Sequence, residues 1–73
     1  MESQVVDRFA GCTPREVEVM QALVTTKGTN REIAELLGIK PQTVNVHIRI
    51  IMLRTDLHSR VQLALAWAAR VTA

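Results

Sequence analysis

TNREIAELLGIKPQTVNVHIRIIMLR, residues 29–54, decides the fold. Thr29 with Glu32 three positions later opens a helix as a capping box, and Gly38 closes it after barely two turns. Ile39 sits in the turn, and Pro41 restarts the chain as the first residue of a second helix. At about 100° per residue that helix aligns Val44, Ile48, Ile51 and Thr55 on one stripe, the spacing a core-facing helix requires. Gln42, Asn45, Val46, Arg49, Ile50 and Leu53 fall on the other side. Amide, cation and branched hydrocarbon thus share a surface that has no core to face.

The flanking segments extend the helical pattern. Thr13-Pro14-Arg15-Glu16 places an N-cap, a proline at the first helical position and a glutamate that completes a capping box. Val17, Met20, Leu23 and Val24 then form the expected buried stripe of a first helix, which runs out at Thr25, Thr26 and Gly28. Ser59 with Gln62 makes a third box, ahead of the Ala-rich RVQLALAWAARV. Residues 1–11 lack sustained periodicity and read as a linker or lead-in, leaving 12–73 as the domain. The expectation is all-α, with four helices at about 14–25, 30–37, 41–55 and 60–71 and no strand.

A chain of 73 residues makes one small domain that buries roughly 60% of its unfolded surface. Phe9 and Trp67 are its only aromatics, so the core is aliphatic. Residues 1–36 hold four cations and six acids, net −2, whereas residues 37–73 hold five cations and Asp56, net +4. The basic half contains the two-faced helix, which points to a polyanionic partner over a merely solvated basic face. Cys12 is the sole cysteine, so no disulfide forms within the chain, and a reducing cytoplasm is the simplest compartment. No apolar run approaches the roughly 20 residues of a membrane span.

Two short helices joined by a glycine-containing turn, the second led by proline, form the layout of a helix-turn-helix. The second helix of that motif enters the DNA major groove and touches base edges with its N-terminal half. Asn45 can pair with adenine, Val46 can pack on a thymine methyl, and Arg49 can reach guanine or phosphate. Exposed hydrocarbon at Val46, Ile50 and Leu53 also fits a protein partner docked on the same face.

Several separated motifs agree in order with one family: TPREVEV, NREIA, the LGI turn, TVNVH and SRV. Over about Cys12 to Ala68 the chain resembles the LuxR-type (GerE-like) helix-turn-helix, the C-terminal output domain of NarL/FixJ response regulators and of quorum-sensing regulators. The resemblance implies a transcriptional regulator of the bacterial cytoplasm, located at the nucleoid when DNA-bound. It binds double-stranded DNA as a homodimer, with RNA polymerase as a further contact. It implies DNA contacts from Lys40, Gln42, Thr43, Asn45, Val46, His47, Arg49, Ile50, Arg54 and Arg31. Dimerisation would use Val61, Gln62, Leu65 and Ala68 of the fourth helix. A related helix-turn-helix serves sigma factors inside polymerase, and the SRV-led fourth helix argues for the regulator instead.

The departures from the family pattern are specific. Asn45 stands where Lys or Arg is usual, Ile50 where a polar residue is usual, and Leu53-Arg54-Thr55-Asp56 where the family reads Arg-Lys-Leu-Gly. Thr55 therefore puts a hydroxyl on the core stripe, and Asp56 removes the customary glycine stop. Gly28 displaces an apolar residue, and Cys12 takes the place of a leucine as a small core residue. His47 reads as a phosphate or carbonyl partner, His58 as a loop residue and Trp67 as packing. Glu16, Glu18, Glu32 and Glu35 serve caps and solvated faces. No metal-ligand cluster, phosphate loop or nucleophile with its base is visible, so neither cofactor nor enzymatic activity is expected.

Overall fold

The computed structural model describes residues 8–72. Four helices and no strand occur among them: α1 Pro14–Thr25, α2 Asn30–Leu37, α3 Pro41–Thr55 and α4 Arg60–Thr72. The all-α expectation holds, and the reason is local. At the start of α1 the Thr13 hydroxyl accepts from Glu16 N at 3.1 Å, and the Glu16 carboxylate accepts from Thr13 N at 3.0 Å.

The other two boxes close only by half. Thr29 caps Glu32 N at 3.1 Å, but the Glu32 carboxylate accepts from Lys27 N instead of from Thr29. Ser59 caps Gln62 N at 3.1 Å, while the Gln62 amide oxygen accepts from His58 N at 2.7 Å. Each side chain reaches past the cap and satisfies a backbone donor of the incoming turn, so the turn before each helix is fixed along with the helix end. Gly38 ends α2 at φ 70°, which a Cβ would strain. At the end of α3 Asp56 takes the same left-handed conformation, φ 59°, without being glycine. Asp is among the few residues that tolerate it, so the stop survives the loss of the usual glycine. The Thr55 hydroxyl donates to Ile51 O at 2.7 Å, which satisfies it within the core.

Helix α1 packs against α2, α3 and α4, and α2 packs against α3. This central position corrects the expected stripe: Val19 and Ala22 are buried with Met20 and Leu23, while Val17 and Val24 are half-buried at the edge. A helix contacted by three others buries a wider arc than one amphipathic face. Leu37 is likewise only half-buried, behind Ile33 and Ala34. Val44, Ile48, Ile51 and Thr55 turn inward from α3 as their spacing implies.

The lead-in needs a larger correction. Residues 8–11 form a turn, and Phe9 is buried with its ring edge-on to Trp67 at 5.1 Å between centroids. Cys12 N donates to Phe9 O at 3.0 Å, and Arg8 Nη1 donates to Thr55 O at 3.0 Å. These residues belong to the folded unit because the aliphatic core leaves an aromatic-sized space beside Trp67; the rest of the expected lead-in, residues 1–7, lies outside the described residues. Trp67 is a packing residue, its Nε1 donating to Gln21 Oε1 at 2.7 Å and its ring facing Arg70 at 4.7 Å. Phe9→Ala should therefore cost about 3 kcal/mol in urea unfolding; a change under about 0.5 kcal/mol would return residues 8–11 to the status of a linker.

Candidate nucleic-acid interface

The short turn from Gly38 through Lys40 sets α3 across α2, and the inward stripe fixes its rotation. Given that rotation, the remaining residues have no choice of direction. Gln42, Thr43, Asn45, Val46, Arg49 and Ile50 are exposed, as is Lys40 at the N-cap; His47 is half-buried on the flank. Lys40 makes no side-chain cap; its carbonyl accepts from Thr43 N at 3.0 Å and from Val44 N at 3.2 Å, and Pro41 brings no N–H to the first turn. Val46 is 54% exposed, Ile50 39% and Leu53 85%. Nothing between Pro41 and Thr55 is acidic, so cation and helix N-terminus act in the same sense on an approaching anion.

One of the expected DNA contacts, Arg54, is engaged elsewhere. The Arg54 guanidinium pairs with the Glu16 carboxylate and donates to Gly11 O at 3.3 Å, away from the outer face of α3. Glu16 is buried, and a buried carboxylate needs a cation beside it, which is what withdraws Arg54 from the interface. Arg31 lies on α2 within 3.5 Å of Glu35, both highly exposed, an i,i+4 pair of small energetic weight.

Arg60, which the sequence left without a role, joins two segments 30 residues apart. Its guanidinium donates to Asn30 Oδ1 and to Gly28 O, each at 2.6 Å, tying the start of α4 to the turn before α2. Gly28 can expose that carbonyl because it sits at φ 82°. Burial lowers the Arg60 pKa, yet an arginine stays charged in the physiological range. No periodicity could have revealed this strut, since its partners are a backbone carbonyl and a first-turn asparagine.

On α4, Leu63 and Trp67 face the core, whereas Val61 and Leu65 are 67% and 66% exposed. Gln62 and Ala68 are exposed on the same outer side, with the Gln62 amide turned back to His58. His58 lies 3.6 Å from Asp56. No group of three metal-ligating side chains occurs among the described residues, and no helix there is long and apolar enough to cross a membrane.

Two short helices at a fixed crossing, the second presenting a polar and apolar face without acids, define a helix-turn-helix domain. Residues 11–67 match the family of bacterial regulatory proteins called the luxR family, and the chain belongs to it. This is a family of DNA-binding transcription regulators and not of enzymes. Over 55 residues, 75% of the chain, it is 40% identical to the nitrate/nitrite response regulator protein NarP of Escherichia coli (strain K12). The chain spans 25% of that relative's length. No solved structure gives a significant match. Phe9 lies just before the matched segment, so its place in the core is a feature the family comparison does not cover.

Cys12 packs at the edge of the core beside Glu16 and Arg54. Burial and then the Glu16 carboxylate push its thiol above the usual 9.0, and Arg54 offsets only part of this. At neutral pH the thiol is therefore protonated and a poor nucleophile. Alkylation by iodoacetamide should be slow at pH 7 and rise only at pH values above the ordinary thiol midpoint; a fast reaction at pH 7 would mean the Glu16 and Arg54 surroundings are not those described.

Proposed function

We propose that α3 enters the major groove of duplex DNA and that the domain acts as a dimer through α4, serving a transcriptional regulator. The observation that carries the reading is the outer face of α3: Gln42, Thr43, Asn45, Val46, Arg49 and Ile50 exposed together, with Lys40 at the entrance and no acid. A groove about 12 Å wide admits one α-helix, and the phosphates flanking it attract such a face. Lys40, Thr43 and His47 lie toward the first turns and flank, where phosphate contacts position a recognition helix; Asn45, Val46, Arg49 and Ile50 are the base-facing group. Arg31, whose exposed pair with Glu35 is weak, stays in the contact set on the phosphate side; Arg54 is left out for its pairing with Glu16.

The dimer assignment rests on Val61, Leu65 and Ala68 of α4, an apolar strip one helical turn apart at each step. The exposed alanines at the end of this strip, Ala68 and Ala69, allow two such helices close approach. The similarity to a response regulator supports the further reading that this domain is the output end of a longer protein, with RNA polymerase within reach of the bound dimer.

Binding of the chain to duplex DNA, followed by fluorescence anisotropy at several salt concentrations, tests the assignment. Arg49→Ala should weaken binding and reduce the salt slope by about 1, while Arg54→Gln, which lowers the melting temperature by unpairing buried Glu16, should leave the slope unchanged when measured below that temperature. An Arg49 variant with wild-type affinity and slope would remove α3 from the groove. Val61→Asp should lower the sedimentation mass of the DNA complex from two protomers per duplex to one without unfolding the domain; an unaltered dimer would place the seam elsewhere.

A further inference from the structure

The outer face of α3 carries a narrow chemical inventory. The major groove presents acceptors on guanine, an acceptor and a donor on adenine, a donor on cytosine, and an acceptor and a methyl group on thymine. With no Asp or Glu from Pro41 to Thr55, the helix lacks the carboxylate that accepts from the cytosine amino group. Its exposed amides, Gln42 and Asn45, have the paired donor and acceptor that suit adenine. Val46 and Ile50 stand one turn apart on the same side, 54% and 39% exposed, and offer hydrocarbon only. The thymine C5 methyl is the one hydrocarbon group on a major-groove base edge. Lys40 and Arg49, both exposed with no acid between Pro41 and Thr55, favour a polyanion over an apolar protein groove as the occupant of this face.

We propose that Ile50 acts with Val46 as a pair of thymine-methyl readers, so that the domain selects half-sites with a thymine beneath each of the two side chains. This rests on the assignment of α3 to the major groove and deepens it. Ile50 becomes a specificity-determining residue, where a groove-lining residue without base preference would tolerate any apolar or polar replacement.

Uracil differs from thymine only by lacking the C5 methyl, which isolates the contact. The purified chain is used to select from a random-core duplex pool, and its affinity is measured for the enriched duplex and for copies with single thymines replaced by deoxyuridine. A motif with two fixed thymines is expected, with affinity falling roughly fourfold at each of the two positions and roughly 15-fold when both methyls are removed. In Ile50→Ala one of the two losses should vanish while the other persists, the signature of a direct pairing. Ile50 lies outside the core, and thermal unfolding of the variant checks that the fold is retained. A motif without fixed thymines, equal affinity for thymine and deoxyuridine duplexes, or an Ile50→Ala variant with both losses intact overturns the methyl-reading pair while leaving the groove assignment standing. No enrichment from the pool overturns both.

Discussion

The inner stripe of α3 is the constraint on which the interface depends. Val44, Ile48 and Ile51 are buried to 1% exposure or less, and Thr55 joins them by returning its hydroxyl to Ile51 O. Those four positions span the helix and leave it no rotational freedom. A turn of one residue's worth, about 100°, would bring Asn45 or Arg49 into an aliphatic core, where an unpaired amide or cation is costly. The direction of every outer side chain is thus a consequence of packing on the other side. In a chain that buries so little surface, such definition comes from a few fully enclosed branched side chains and not from a large core.

Charge is sorted by the same logic. The basic half of the chain reads as one electrostatic feature, but its five cations do four different things. Arg54 compensates the buried Glu16, Arg60 binds a carbonyl and an amide near α2, and Arg70 lies over the Trp67 ring. Lys40 and Arg49 are the exposed cations of α3 itself. Guanidinium groups suit the internal roles because a planar fork can hold two acceptors at once, which a lysine ammonium does with less directionality. Arg8 and Arg54 both close on the C-terminal end of α3, and Arg60 closes on the turn that precedes α2. The helix-turn-helix is therefore held from outside by arginines that a net-charge count would assign to DNA.

What could be read without coordinates was whatever depends on near neighbours. Thr13, Pro14 and Glu16, Gly38 and Pro41 fix helix starts and stops through contacts within four residues, and the i, i+4, i+7 spacing of α3 fixes its two faces. What could not be read depends on residues far apart in sequence. Phe9 finds Trp67 across 58 positions, and its segment has no periodicity to signal it. Val19 and Ala22 are buried because three helices surround α1, a fact about topology and not about the pattern of α1. Glu16 looked like a cap and is one, yet its burial makes it also the partner of Arg54, 38 positions away. The DNA-contact set was accordingly most legible on the face of α3 and least so at its end, where long side chains have a choice of partners.

That end also shows how a helix can be stopped without the residue that usually stops it. Asp56 in the left-handed region stores strain on the order of 1 kcal/mol relative to glycine. Around it the chain supplies compensation: Leu57 N bonds Met52 O at 3.2 Å, Leu57 packs against the core, and Arg8 binds Thr55 O. The stop is thus imposed by its surroundings and not by the conformational preference of one residue. Because Arg8 binds Thr55 O and Arg54 donates to Gly11 O, the segment before α1 and the end of α3 form one packed unit.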